Sequence, residues 1–165
     1  MRPAAPRVPT RRALHELSIR LARDRHVVEF TRGLIAARPA RDRLARIAAA
    51  FSFVSTLVNT PAAAGSASGD GVGVLLAIAG KEEGPAVILC AMLQALGERA
   101  SVVLAPAMPF VRVEIGPQDV RRLPPHARLL AARERFYIPL DPRRARWPMG
   151  FLTSPARVGS TMARA

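Results

Sequence analysis

In the first third of the chain, apolar residues recur at three- and four-residue steps, a pattern typical of amphipathic helices. Thr10 is placed to cap a first helix that runs to about Leu21 with arginines on its outer side. A second, short helix is predicted over 27–37, before Pro39. A third begins at Asp42 and carries bulky apolar residues at helical spacing as far as Pro61. The N-terminal half is therefore predicted to be helical.

The middle of the chain contains the strongest helix signal. Residues 62–73 are rich in Gly, Ser and Ala and are predicted to form a loop, whereas the apolar run 71–80 fits either a helix or a strand. Gly84-Pro85 then opens a segment that is apolar on almost every side and ends at Gly97. A helix without a polar face is usually buried, so this one is predicted to pass through the middle of the domain.

Three strand candidates follow this helix, at residues 100–104, 110–115 and 135–140, and the second alternates apolar and polar side chains. The last two are separated by a basic, proline-containing insertion, in which residues 126–133 are the candidate for a further helix. The order of elements predicts an α+β fold: a helical N-terminal half, and a buried central helix packed against a small antiparallel sheet.

The length of 165 residues fits one domain with irregular ends. We expect a flexible basic arm over 1–10, the domain itself over 11–142, and a basic tail over 143–165. No apolar run follows Met1 that would make a signal peptide, and the uncharged stretch 47–64 reads as a core helix and not as a membrane span. We therefore expect a cytoplasmic protein.

Positive charge is concentrated at the two ends of the chain. Residues 1–46 hold twelve arginines against four acids, a net +8, and residues 117–165 hold ten against three, a net +7. The centre, with three basic and five acidic residues, has a net charge of −2. Two interpretations stay open: an electrostatic surface for an anionic partner, or a consequence of GC-rich coding, which would favour 24 Arg over a single Lys.

Five motifs in residues 80–142 follow one another in an order that resembles a known family. They are GKEEGPA at 80–86, the apolar helix that ends in Leu-Gly at 96–97, ASVVL at 100–104, FVRVEI at 110–115 and FYIPLDP at 136–142. Transglutaminase-like domains, of the papain-type cysteine hydrolases, have a Gly-Asp-Cys-x-Asp-x-Ala motif before such a helix, then a strand with His-x-Trp-x-Glu, then a strand that ends in Leu-Asp-Pro. The resemblance implies a transglutaminase-like fold.

The same resemblance implies that the catalytic residues have been lost. The family's nucleophilic cysteine corresponds to Glu82, its histidine to Phe110 and its aspartate to Asp141. The acid that follows the cysteine by two residues corresponds to Gly84, and the tryptophan to Arg112. A carboxylate is a poor nucleophile for acyl transfer and a phenyl ring accepts no proton. We therefore expect a protein that is not an enzyme.

Other residues offer no obvious replacement for that chemistry. Cys90 is predicted to lie in the middle of the apolar helix, where burial makes a thiol unreactive. The three histidines, His15, His26 and His126, lie outside the predicted strands. Glu82 and its neighbours are more simply an acidic turn at a helix start, and Asp141 a turn residue before Pro142. We expect neither a cofactor nor a metal.

The leading hypothesis is a non-catalytic pseudoenzyme that serves as a protein-interaction or structural subunit of a larger assembly, for example in a bacterial or phage particle. Its basic flanks would dock onto an acidic protein surface. The alternative is a basic nucleic-acid-associated protein on a hydrolase-derived scaffold, and the third hypothesis is a residual cysteine hydrolase or acyltransferase. The candidate docking residues are Arg11, Arg12, Arg143, Arg144, Arg146 and Trp147.

Overall fold

The computed structural model describes residues 9–37, 42–59, 71–79, 81–105, 109–123 and 127–143. This part of the chain contains six helices and four strands. The helices are α1 (Arg11–Arg23), α2 (Arg25–Ala36), α3 (Arg43–Asn59), α4 (Gly71–Ile78), α5 (Gly84–Ala95) and α6 (Pro117–Val120). The strands are β1 (Ala100–Val103), β2 (Phe110–Ile115), β3 (Leu130–Ala132) and β4 (Arg135–Leu140).

Side-chain caps explain where the first three helices begin. The Thr10 hydroxyl accepts a hydrogen bond from the Ala13 amide at 3.2 Å, as the sequence predicts. Asp24 ends α1 and caps α2, because its carboxylate accepts from the His26 amide at 2.9 Å. Asp42 does the same for α3, accepting from the Ala45 amide at 2.8 Å. The three predicted N-terminal helices are confirmed, while Pro39 and Pro61, predicted to stop two of them, lie outside the described residues.

The loop prediction for 62–73 is wrong at its C-terminal end, because α4 already begins at Gly71. The pattern of 71–80 did not distinguish helix from strand. The structure shows a helix, α4. In this conformation Leu75 and Ile78 are both buried, and α4 packs against α2 and α5. Residues 62–70 lie outside the described residues.

Helix α5 is the centre of the domain, as predicted. All ten residues from Gly84 to Leu93 are buried, and α1, α2, α3, α4, β1 and β2 pack around the helix. It ends at Gly97, which has a positive φ of 85° and donates its amide to the Gln94 carbonyl at 2.9 Å. The Glu98 amide donates to the Leu93 carbonyl at 2.9 Å. This pair of hydrogen bonds is a Schellman motif, which favours glycine at the position with positive φ.

The four strands form one antiparallel sheet in the order β1-β2-β4-β3. In β2 the residues that face the helices are Val111, Val113 and Ile115, and Ile138 and Leu140 do the same in β4. These five side chains join the core around α5. The three predicted strands are confirmed, and with them the predicted α+β class of a helical N-terminal half and a central helix on a small antiparallel sheet.

The expected helix at 126–133 is wrong. His126 lies outside the described residues, and residues 130–132 form β3, which pairs with β4 through the register Ala132↔Arg135. The two-residue turn consists of Arg133 and Glu134, with φ of 50° and 61°. Pairing with β4 overrides the helix preference of the Leu-Ala-Ala run, because backbone hydrogen bonds along the edge of the sheet are available to it.

In the part of the chain that the structure describes, no helix combines the length and the apolar character needed to cross a membrane. This agrees with the interpretation of the uncharged stretch in α3 as a core helix. Ile47, Phe51 and Val54 of that helix are buried in the core.

Candidate functional site

The turn before α5 carries Glu82, the residue that the resemblance aligns with a catalytic cysteine. Its shape is fixed by the backbone: the Lys81 amide donates to the Ile78 carbonyl at 3.0 Å, and the Gly84 amide donates to the Lys81 carbonyl at 3.2 Å. Glu82 is exposed to solvent. Glu83 occupies the N-cap position of α5, but its side chain makes no capping hydrogen bond.

Gly84 stands where the family has an acid, and the structure gives a local reason for glycine there. A Cβ built on Gly84 would lie 1.6 Å from the carbonyl oxygen of Ile78 and 2.6 Å from its carbonyl carbon. Both atoms are backbone, so a side chain at this position requires α4 and α5 to move apart. The end of α4 thus occupies the space that an acidic side chain at position 84 would need.

Phe110 and Asp141 lie at the same end of the sheet. Phe110 is the first residue of β2, and Asp141 is the first residue after β4. The register Val111↔Leu140 brings this end of β2 beside the C-terminal end of β4. Asp141 is buried, with 5% of its surface exposed, and its Oδ1 accepts a hydrogen bond from the Arg143 amide at 3.0 Å. The contact closes the turn in the way that was expected for an aspartate before Pro142.

Arg143 connects this end of the sheet to the turn before α5. Its Nη2 donates to the Lys81 carbonyl oxygen at 2.6 Å. The turn that holds Glu82 and the strand end that holds Asp141 are therefore joined by a side chain–backbone hydrogen bond. The Arg143 Nε is buried and makes no hydrogen bond with a described residue.

Cys90 is buried as the sequence predicts. No surface of the residue is exposed, and its Sγ donates a hydrogen bond to the Ser18 hydroxyl of α1 at 3.6 Å. Burial raises the pKa of the Cys90 thiol to about 11, more than the Ser18 hydrogen bond lowers it. The thiol is consequently protonated near neutral pH, which is the unreactive form.

Among the described residues, no histidine ring forms a hydrogen bond with this thiol. Ser18 donates its hydroxyl to the backbone carbonyl of His15 at 2.8 Å, so His15 takes part through its main chain. The His15 Nδ1 is buried and has no hydrogen-bond partner among the described residues. His26 is exposed on α2, and His126 lies outside the described residues. The buried Ser18–Cys90 pair between α1 and α5 is a contact that the sequence analysis did not anticipate.

Sequence reasoning also missed Arg43, which joins four separate parts of the chain. Its guanidinium contacts the Glu98 carboxylate at 2.6 Å, the Asp119 carboxylate at 2.8 Å and the Glu114 backbone carbonyl at 2.6 Å. These partners are 55 to 76 residues away along the sequence. No local spacing could have revealed them, because the pairing depends on how the end of α5 and the end of β2 meet α3.

Two concavities open beside this network, around the C-terminal end of α5. One, of about 640 Å³, lies between α2, α3 and the end of α5. The other, of about 420 Å³, lies between α3, the segment after α5 and the end of β2. Arg46, Leu96 and Gly97 line both of them. Neither concavity is lined by Glu82, Phe110 or Asp141.

The candidate docking residues fall into three groups. Arg11 is exposed at the start of α1 without an ion pair to another described residue, whereas Arg12 pairs with Glu16 at 2.8 Å. Arg143 is engaged inside the molecule, with Lys81. The remaining three, Arg144, Arg146 and Trp147, lie outside the described residues.

Among the residues that the structure describes, no three His, Cys, Asp or Glu side chains are grouped so that they could hold a metal ion. Comparisons with protein-family models, with curated proteins and with solved structures found no match to this chain. The resemblance to transglutaminase-like domains therefore stays a prediction from the motifs.

Proposed function

We propose that this protein is a non-catalytic interaction domain, on a degenerate transglutaminase-like scaffold, that docks onto an acidic surface of a protein partner in a larger assembly. The observation that carries the proposal is the set of exposed arginines that form no ion pair with another described residue. They include Arg11 and Arg20 on α1, Arg32 on α2 and Arg46 on α3. Exposed guanidinium groups without a carboxylate partner are suited to bind one from another protein.

The chemistry at the aligned positions supports a role without catalysis. Glu82 presents an exposed carboxylate, Phe110 has no group that accepts a proton, and Asp141 is engaged with the Arg143 amide. Cys90 is buried and its raised pKa keeps it protonated. The hypothesis of a residual cysteine hydrolase would need an opening of the core around α5 to expose this thiol.

Nucleic-acid binding has weaker support from the contacts of the described residues. Single strands bind through aromatic rings on which bases stack, next to basic groups. The Tyr137 ring on β4 already has the Arg112 guanidinium over it, at 5.0 Å from the ring centre. One face of this ring is thereby occupied within the protein itself.

The test is recovery of the partner from the cells that produce the protein. The full chain is expressed with an affinity tag at its native level, and the eluate is split between nuclease treatment and a series of washes from about 0.05 to 0.5 M salt. We expect a stoichiometric acidic protein that survives the nuclease and is released by salt. Recovery of nucleic acid without a protein partner, or of nothing, would refute the proposal and, in the first case, favour the alternative.

A further inference from the structure

We infer that the larger concavity is a binding groove for an acidic peptide segment that also carries aliphatic side chains. The inference rests on the proposed function and deepens it by placing the partner. The α2–α3–α5 groove is lined by Arg32 and Ile35 of α2, Arg46 of α3, and Gln94, Leu96 and Gly97 at the end of α5. None of these residues was among the candidate docking residues of the basic flanks.

The shape of the groove follows from where α5 ends. Gly97 has no side chain and turns the chain away from the helix with its positive φ, and Gln94, Ala95 and Leu96 just before it are only partly buried. Ile35 and Leu96 then provide an aliphatic floor, and Ala36 and Ala95 are small enough to leave the space open. A volume of about 640 Å³ falls in the range of known ligand-binding clefts and accommodates several side chains of a peptide.

The two arginines on its rim are available for a carboxylate. Arg32 and Arg46 are exposed, and neither forms an ion pair with another described residue. Arginine binds carboxylates through two parallel hydrogen bonds, which gives orientation as well as affinity. Two such groups above an aliphatic floor complement a segment that has acidic and aliphatic residues close together.

The acids near this rim are already engaged with other arginines. Glu98 and Asp119 bind Arg43, which lies three residues before Arg46 in α3. Glu114 is shared between Arg99, at 3.5 Å, and Arg135, at 3.2 Å. Because these carboxylates are occupied, a partner is the better source of a counter-charge for Arg46.

The neighbouring concavity favours an extended ligand over a compact one. It shares Arg46, Leu96 and Gly97 with the groove and continues towards Arg99 and Glu114. A peptide of several residues can occupy both, whereas a single small anion would fill only a part of one. The residues that line the groove include no aromatic side chain, so the stacking platform that single-stranded nucleic acids use is lacking there.

The test compares two charge reversals of equal size on the full chain. Arg32→Glu with Arg46→Glu changes the groove, and Arg11→Glu with Arg20→Glu changes α1 by the same total charge. All four residues are exposed and form no ion pair with another described residue, so we expect each double variant to keep its melting temperature within about 2 °C. Peptides of about 12 residues are selected from a random display library on the wild-type protein, then synthesised with a fluorescent label for titration.

The expected result is a set of selected peptides that carry net negative charge and at least one large aliphatic residue. The groove variant should lose about tenfold or more in affinity for them, and the α1 variant less than about threefold. Replacing the acidic residues of a selected peptide by lysine should restore binding to the groove variant and abolish binding to the wild-type protein. A labelled oligothymidine of similar length serves as the nucleic-acid probe.

Several outcomes would overturn the inference: no selected peptide, peptides without acidic residues, equal losses in both variants, or tighter binding of the oligothymidine at the groove. The experiments distinguish an error in the groove assignment from an error in the proposed docking function. If the groove variant still recovers the partner from cells, the groove assignment is wrong and the docking function stands. If no partner is recovered while the selected peptides bind as expected, the docking function is wrong and the groove remains a peptide site.

Discussion

The Nη2 of Arg43 lies 2.6 Å from the Oε2 of Glu98, and this ion pair, which joins α3 to the segment that follows α5, is the most buried one among the described residues. The Glu98 side chain is 6% exposed, whereas that of Arg43 is 32% exposed and also reaches Asp119. The hydrogen bond that Arg43 donates to the Glu98 carboxylate contributes most to a raised pKa for Arg43, and burial opposes it. The network therefore holds the end of α5 against α3 while the neighbouring Arg46 stays unpaired among the described residues.

Removing Arg43 should destabilise the fold strongly. In Arg43→Met, the methionine keeps much of the aliphatic packing, but Glu98 is left as a buried carboxylate without its cation. We expect a loss of about 3 kcal/mol in the free energy of unfolding, as found for broken buried ion pairs. Urea unfolding followed by circular dichroism measures it.

An exposed ion pair provides the matched control for Arg43. Arg12 and Glu16 lie 2.8 Å apart, and their side chains are 89% and 58% exposed. We expect Arg12→Met to leave the urea midpoint almost unchanged, because solvent screens this exposed pair. Equal losses in the two variants would contradict the role assigned to burial around Arg43.

Gly84 sets how closely α4 approaches the start of α5. Gly84→Ala places a methyl group 1.6 Å from the Ile78 carbonyl oxygen, so the helices must separate or α4 must detach. We expect a loss of about 2 kcal/mol or more, in the range found for overpacking. The measurement is again the midpoint and slope of urea unfolding.

Gly33→Ala is the control for that substitution, because an added Cβ meets no atom within 4 Å in the described structure. Gly33 lies inside α2, where alanine is the better helix former. We expect this variant to gain about 0.5 to 1 kcal/mol. A loss of stability in Gly33→Ala would contradict the open space described beside α2. An unchanged stability in Gly84→Ala would contradict the close approach of α4 to α5.

The elements that could be predicted from sequence are those with local signals. Caps at Thr10 and Asp42 and the Gly97 stop depend on residues only a few positions apart, and the structure confirms all three. Strand β3 was missed because its only support is pairing with β4, which a helix-favouring Leu-Ala-Ala run does not reveal. The Arg43 network and the α2–α3–α5 groove could not be predicted for the same reason. Their residues are far apart in the sequence and come together only when the helices pack.

The Arg133-Glu134 turn is a place where substitution should stabilise the protein. Both residues have positive φ, and a two-residue hairpin turn of this kind favours Asn-Gly. We expect Arg133→Asn with Glu134→Gly to raise the free energy of unfolding by about 1 kcal/mol, because backbone strain of this order is relieved. Arg121→Gly, at a residue with φ of −66° after α6, should give no such gain. A destabilised turn variant would contradict the strain assigned to these two residues.

The buried thiol of Cys90 should make stability fall at alkaline pH. Its pKa in the folded protein is about 11, above the value of 9.0 for a free thiol, so the unfolded chain loses its proton first. Stability from this group is fully present below pH 9.0 and is lost as the pH rises towards 11, by at most about 3 kcal/mol. Urea unfolding between these pH values should show the decline, and Cys90→Ala should show a flatter profile that starts from a lower stability at neutral pH, because alanine leaves a cavity and has no proton to lose. The single Tyr and the single Lys are present in both proteins, so the difference between the two profiles isolates the thiol. Parallel profiles for wild type and Cys90→Ala would show that the thiol is not held protonated by burial against Ser18, and the assignment of Cys90 as an unreactive core residue would have to be withdrawn.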